Sequence, residues 1–126
     1  MISFHHKGDF NKTFKFFKRI SRHNLRRTLE KYGQRGVVAL ENATPKDTGL
    51  TSRSWSYEIE MDNNSTTIHW SNSNIQKGVS IAILIQYGHG TQHGGYIQGY
   101  DYINPALRPV FEEMVEEIWR EVTMSE

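Results

Sequence analysis

Apolar residues in this chain recur first at helical spacing and then at strand spacing. After Asp9, a residue suited to N-capping, Phe10, Phe14 and Phe17 stand three or four apart and Ile20 continues the stripe, while Lys12, Lys15, Lys18 and Arg19 fall mostly elsewhere. This predicts a short amphipathic helix, preceded at Ile2–His6 by a strand or an extended arm. Ser21 suits the cap of a second helix, in which Leu25, Leu29, Tyr32, Gly36, Leu40 and Ala43 follow steps of three and four. Gly33 and Gly36 each cost about 1 kcal/mol relative to alanine in an exposed helix, so they imply a close helix crossing or a bend. Pro45 disfavours helical geometry at Thr44 and ends the helix there.

From Trp55 the period changes to two. Trp55, Tyr57, Ile59 and Met61 alternate with Ser54, Ser56, Glu58 and Glu60, as in a strand with one buried face. Asp62-Asn63-Asn64-Ser65 supplies a turn and Thr66–Trp70 a returning strand, so a hairpin is predicted. Ser71–Asn74 reads as a polar loop. The apolar run from Val79 to Tyr87 fits either a buried strand or a short helix leading into one. Gly88 to Gly99, rich in glycine and histidine, predicts an exposed loop or an extended hairpin arm, a natural contact between subunits. Phe111, Met114, Val115, Ile118, Trp119 and Val122, interleaved with glutamates, predict a terminal amphipathic helix with Pro105 and Pro109 near its start and acids in its first turns.

These elements give an α+β fold: a small antiparallel β-sheet with an N-terminal helical pair and a C-terminal amphipathic helix. At 126 residues, the chain suffices for a single domain, 1–126, with one modest core. No apolar run approaches the roughly 20 residues that cross a bilayer, and the first ten residues lack a secretory cleavage pattern, so a soluble protein without membrane contact is expected. The absence of cysteine excludes disulfides and thiolate metal sites and fits a reducing cytosol.

The near-neutral total hides a polarised distribution: residues 1–36 carry +8, residues 37–100 carry −2 and residues 101–126 carry −5. A basic first third suits nucleic acid or an acidic partner, or faces the acidic terminal helix of the same molecule or of a neighbour.

Candidate chemistry is sparse. His5, His6, His69, His89 and His93 could supply metal ligands, but Gly90 stands between His89 and His93 and no carboxylate follows until Asp101, so they read as exposed or interface histidines. Asp47-Thr48-Gly49 matches an aspartic-protease triplet in letters, yet it lies between a helix and a Ser/Arg-rich turn rather than between apolar strands. Capping explains it better, with Pro45 setting the exit direction, Asp47 offering a carboxylate to free N–H groups and Gly49 relaxing the backbone. Gly88-x-Gly90 and Gly94-Gly95 lack the lysine and hydroxyl of a phosphate loop. Trp55, Tyr57, Trp70 and Trp119 are spaced for core faces rather than for stacking on bases. No catalytic, metal or cofactor site is expected.

Pro45-Lys46-Asp47-Thr48-Gly49, Tyr87-Gly88-His89-Gly90-Thr91 and Asn104-Pro105-Ala106-Leu107-Arg108-Pro109 resemble, in order and spacing, the tail-component family of long-tailed bacteriophages, whose members complete the head-to-tail joint. One position departs: the family usually carries leucine two residues after the glycine, where this chain has Thr51, although Ser54 falls where the family has serine. The resemblance favours a helical turn and then a brief strand ending at Tyr87. It implies a structural virion protein without enzymatic activity, forming a hexameric ring at the neck, as a tail-completion or tail-terminator component. Its partners would be copies of itself, other neck, connector and tail proteins, and weakly the genomic DNA in the channel. Its location would be the virion, and the host cytoplasm during assembly. Pro45, Asp47, Thr48 and Gly49 would then build one structural turn, and Tyr87, Gly88 and Gly90 another. His93, Tyr96, Ile97, Tyr100, Glu116 and Glu117 are the candidate inter-subunit contacts. Two readings stand beside it: a nucleic-acid-binding module using the basic Lys12 to Arg35 region against phosphates, and a monomeric adaptor.

Overall fold

Helix α1, Arg22–Ala43, buries the predicted stripe: Leu25, Leu29, Tyr32 and Leu40 lie in the core. It stops where Pro45 requires, with the Thr44 N–H donating to the Leu40 carbonyl at 2.9 Å. The computed structural model describes residues 2–4, 22–46, 49–62 and 65–124. The expected helix at 9–20, its Asp9 cap and Ser21 lie outside them, as do Asp47 and Thr48.

The described chain continues through α2 (Leu50–Arg53), β2 (Trp55–Met61), β3 (Thr66–Asn72), β4 (Ile75–Gln76), β5 (Val79–Ser80), α3 (Ile81–Tyr87), β6 (Gly88–Gly90), β7 (Tyr96–Gln98) and α4 (Ile103–Met124), after β1 at Ile2–Phe4. The fold is α+β, with small antiparallel sheets between long helices. β1, β3 and β2 form one antiparallel sheet in that order, with Tyr57 opposite Trp70 and Ile59 opposite Ile68. The hairpin turn closes through Asp62, whose carboxylate accepts from the Ser65 N–H at 2.7 Å.

α1 covers one face of this sheet, and its two glycines make the approach possible. A Cβ on Gly36 would stand 2.5 Å from the Trp70 indole, and one on Gly33 would collide with the Tyr57 ring. The close approach that the two glycines allow is to the sheet rather than to a crossing helix: aromatic strand side chains are set against bare helix backbone. Trp70 donates its indole N–H to the Gly33 carbonyl at 2.9 Å, so the buried ring is also satisfied.

α4 runs antiparallel along α1. Thr28 donates to Glu121, Lys31 pairs with Glu117, and Arg35 pairs with Glu113 at 3.2 Å. Part of the basic first third therefore faces the acidic last helix of the same molecule. The core is one cluster, in which Leu107, Met114 and Ile118 of α4 join α1 and the sheet.

Four further expectations need correction. Ser71 and Asn72 belong to β3 rather than to a loop, and Asn72 and Asn74 are buried. Between Val79 and Tyr87 the order is strand, then helix, with the next strand starting at Gly88 instead of ending at Tyr87. α4 begins at Ile103, so no acid occupies its first turn, and Pro109 sits inside the helix. Trp119, expected in the core, is half-exposed: its neighbour Ile118 takes the inward position, about 100° away around the helix.

Candidate functional site: an uncharged aromatic arm

β6 and β7 pair antiparallel, with Gly88 opposite Gln98 and Gly90 opposite Tyr96, so the glycine-rich segment is a hairpin arm. Its tip is closed by Thr91, which accepts the Gly95 N–H on its hydroxyl at 3.0 Å while its own N–H donates to the Gly95 carbonyl at 2.9 Å. From residue 78 to residue 100 the chain contains no Lys, Arg, Asp or Glu. Tyr87 (67 % exposed), Tyr96 (67 %), Ile97 (52 %) and Tyr100 (61 %) project from this stretch into solvent. That charge-free run is a signal in the sequence that periodicity alone passes over.

The base of the arm is rigid. Gly88 adopts φ +78°, and a Cβ there would meet the Ile97 carbonyl oxygen at 2.5 Å, so two backbones touch where a side chain would separate them. Tyr96 donates its hydroxyl to the Tyr87 carbonyl at 3.0 Å, and the Tyr100 N–H donates to the Ile85 carbonyl at 2.8 Å. Tyr100 stacks on Tyr102 with ring centroids 6.3 Å apart.

Gln86, which sequence reasoning missed, ties the arm to α4. Its side-chain oxygen accepts the N–H groups of Tyr102 (3.1 Å) and Ile103 (3.0 Å), and its amide donates to the Asp101 carboxylate at 2.7 Å. The start of α4 is thus capped by a buried glutamine from another helix. Tyr102 lies beneath, donating its hydroxyl to the Ala82 carbonyl at 2.9 Å. Burial pushes the Tyr102 phenol up to about 12, from about 10 in an unfolded chain. An acid whose folded value is raised loses stability as pH climbs from the unfolded value to the folded one. Alkaline titration from pH 10 to 12 should therefore cost about 2–3 kcal/mol through Tyr102, read as falling urea midpoints.

The other predicted residues fall into two groups. Of the first turn, Pro45 is half-buried and Gly49 is left-handed at φ +73°; it precedes α2 without a side-chain cap, while Asp47 and Thr48 lie outside the described residues. Thr51, standing where the resemblance expects leucine, is buried and polar but satisfied: its hydroxyl accepts from Asn74 at 2.9 Å and its carbonyl from Asn72 at 2.7 Å. Of the second group, Tyr87, Gly88, Gly90, His93, Tyr96, Ile97 and Tyr100 all lie on the arm or its base. Gly90 is a strand residue, not a turn, with nothing nearer than 3.9 Å to an added Cβ.

Glu116 and Glu117 lie far along α4 and differ in role. Glu116 is exposed and pairs with Arg120 at 3.7 Å, whereas Glu117 is drawn to Lys31. Substituting Glu117→Lys should cost about 1 kcal/mol of the folded chain's own stability by facing Lys31 with a like charge. Glu116→Lys only sets a like charge beside exposed Arg120 and should cost no more than about 0.5 kcal/mol, so that variant reports more cleanly on a neighbour.

His69 pairs with Glu60 at 3.0 Å on the sheet, while His89 lies in β6 and His93 at the arm's tip. Among the described residues no three His, Asp or Glu side chains converge as metal ligands, and no helix is long and apolar enough to cross a membrane. Comparison with protein-family models, curated proteins and solved structures gives no match to this chain.

Proposed function

We propose that this chain is a ring-forming structural subunit of the head–tail joint of a long-tailed bacteriophage, completing the tail or connecting it to the head. The observation that carries the reading is the arm: three tyrosines and an isoleucine held out on a charge-free, rigidly based hairpin. Side chains of this kind suit the buried centre of a protein interface, where aromatics are enriched and charges depleted. The order along the sequence of the Pro45–Gly49 segment, the Tyr87-Gly88 pair and the Asn104–Pro109 run, which resembles that of the phage tail-component family, supports the reading of a phage joint. Its work would be mechanical, with copies of the chain and adjoining neck and tail proteins as partners.

The internal pairing of Lys31 and Arg35 with α4 changes how such a ring would hold together. Those charges are engaged within the subunit, which moves the weight of the contact from charge complementarity to apolar burial. It also removes two cations from a phosphate-binding reading of the basic helices.

Electron micrographs of concentrated protein, alone and mixed with tails or heads, test the proposal. Annular particles and attachment to the tail end are expected. A protein that stays monomeric and attaches to neither would sink the reading.

A further inference from the structure

β2 is an edge strand, flanked by β3 on one side only, and the hydrogen bonds just beyond its two ends fix which backbone groups face outward. The Asp62 N–H donates to the Ser65 carbonyl at 3.0 Å, and the Ser73 N–H donates to the Ser54 carbonyl at 3.0 Å. Both bonds continue the one-to-one register that sets Met61 opposite Thr66 and Trp55 opposite Asn72. Bonded and non-bonded pairs alternate along an antiparallel ladder. Ser56, Glu58 and Glu60 therefore bond to β3, while Tyr57 and Ile59 each turn an N–H and a C=O toward the free edge. Among the described residues nothing bonds to those groups.

The side chains sort by the same alternation. Tyr57 and Ile59 lie on the face that α1 covers, yet they are only half-buried because the sheet ends beside them. Ser56, Glu58 and Glu60 lie on the opposite face and are exposed, with Glu60 reaching the His69 ring at 3.0 Å. The edge is thus a row of backbone donors and acceptors with an apolar margin on one face and an acidic margin on the other.

We propose that the free edge of β2 takes up an extended segment of a different protein as an added antiparallel strand, in which lysine or arginine alternates with apolar residues. The contact goes beyond the head–tail reading and needs neither a ring nor a second copy.

Three observations select this occupant. Open N–H and C=O groups on Tyr57 and Ile59 call for extended backbone, the geometry by which a peptide joins a sheet edge. Apolar side chains on the α1 face call for apolar residues opposite Tyr57 and Ile59, which places the intervening residues opposite Glu58 and Glu60. Cross-strand pairs of opposite charge are favourable and like charges directly opposite are not, so those intervening residues are cations. The same rule turns away a second copy of β2: the antiparallel register that satisfies both Tyr57 and Ile59 sets Glu58 against its own counterpart. Among the described strands β2 and β3 are the longest, at seven residues each, and β3 is paired on both sides. The edges of β4 to β7 are two or three residues long, too short to hold a strand in register.

An acetylated and amidated Lys-Val-Lys-Val-Lys-Val-Lys peptide, titrated into the full-length chain and followed by amide NMR, tests the edge. In the free chain the Tyr57 and Ile59 amides should exchange with solvent faster than those of Glu58 and Glu60. Peptide at about ten times its dissociation constant should slow the first pair about tenfold and leave the second pair unchanged. N-methylation of the valines, whose N–H groups face β2 in an antiparallel strand, should weaken binding at least about tenfold, whereas N-methylation of the inner lysines should not. Joint Glu58→Lys and Glu60→Lys substitution should weaken the lysine peptide about tenfold and favour the same peptide with glutamate in place of lysine. The N-methyl comparison uses the unaltered chain, so it decides the matter whether or not the reversed variant folds. Absence of saturable binding below about 1 mM overturns the proposal. So do equal losses from both sets of N-methyl groups, or lysine-peptide binding that survives the charge reversal, which would place the peptide on the glutamates of α4. Loss from methylated lysines alone would make the added strand parallel and overturn its register.

Discussion

Replacing Gly36 by alanine should destabilise the protein by about 2–4 kcal/mol, although the same change in an exposed helix would stabilise it. Helix propensity alone favours the substitution by about 1 kcal/mol. Against this, the new methyl carbon would stand 2.5 Å from three-dimensional neighbours that cannot retreat, the ring atoms of fully buried Trp70. Overpacking of this kind costs about 1–3 kcal/mol. Displacing the indole also endangers its 2.9 Å hydrogen bond to the Gly33 carbonyl, and a stranded buried donor costs about 1–3 kcal/mol more. Urea denaturation of Gly36→Ala decides the matter by sign. A raised midpoint would mean that α1 does not lie this close to the sheet.

Replacing Gln86 by leucine should cost a similar amount, about 2–4 kcal/mol, and should loosen the arm first. The leucine conserves bulk but withdraws the acceptor shared by the Tyr102 and Ile103 N–H groups and the donor to Asp101. Two buried backbone donors would lose their partner at once, each at about 1–3 kcal/mol, offset by the better transfer of an apolar side chain. Because Gln86 joins α3, the arm and the start of α4, hydrogen exchange at residues 96–103 should accelerate more than exchange in α1. Uniform acceleration through both regions would show that Gln86 supports the whole core instead of the arm's base.

The parts of the fold legible in the sequence are those where one period governs many residues. Leu25, Leu29, Tyr32 and Leu40 announce α1, and Trp55 to Met61 opposite Thr66 to Trp70 announce the hairpin, because one buried face imposes a repeat on each. The β4–β5 ribbon was not legible. Its strands are two residues long, and its turn uses Lys77 at positive φ, where asparagine or glycine is the usual signal. The run from Val79 to Tyr87 is apolar almost throughout, so its letters fit strand and helix equally until Ala82 and Gln86, four apart, are seen to turn inward together. Gln86 itself carried no signal, since a polar residue in an apolar run reads as a surface position unless its partners are known. The arm was legible as an exposed hairpin. Its rigidity was not, because that depends on Gly88 meeting backbone nine residues away in sequence.

The antiparallel seam between α1 and α4 joins residues 78 to 93 positions apart, at Arg35 with Glu113 and Thr28 with Glu121. A nascent chain still on the ribosome can coil α1 and close the β2–β3 hairpin, but Leu107, Met114 and Ile118 are synthesised after both and the core is open without them. Contacts this distant in sequence slow folding, because the intervening loop must first be closed. Completion of the fold therefore waits on translation of α4, and a chain truncated before it would leave Leu25 and Leu29 open to quality-control proteases.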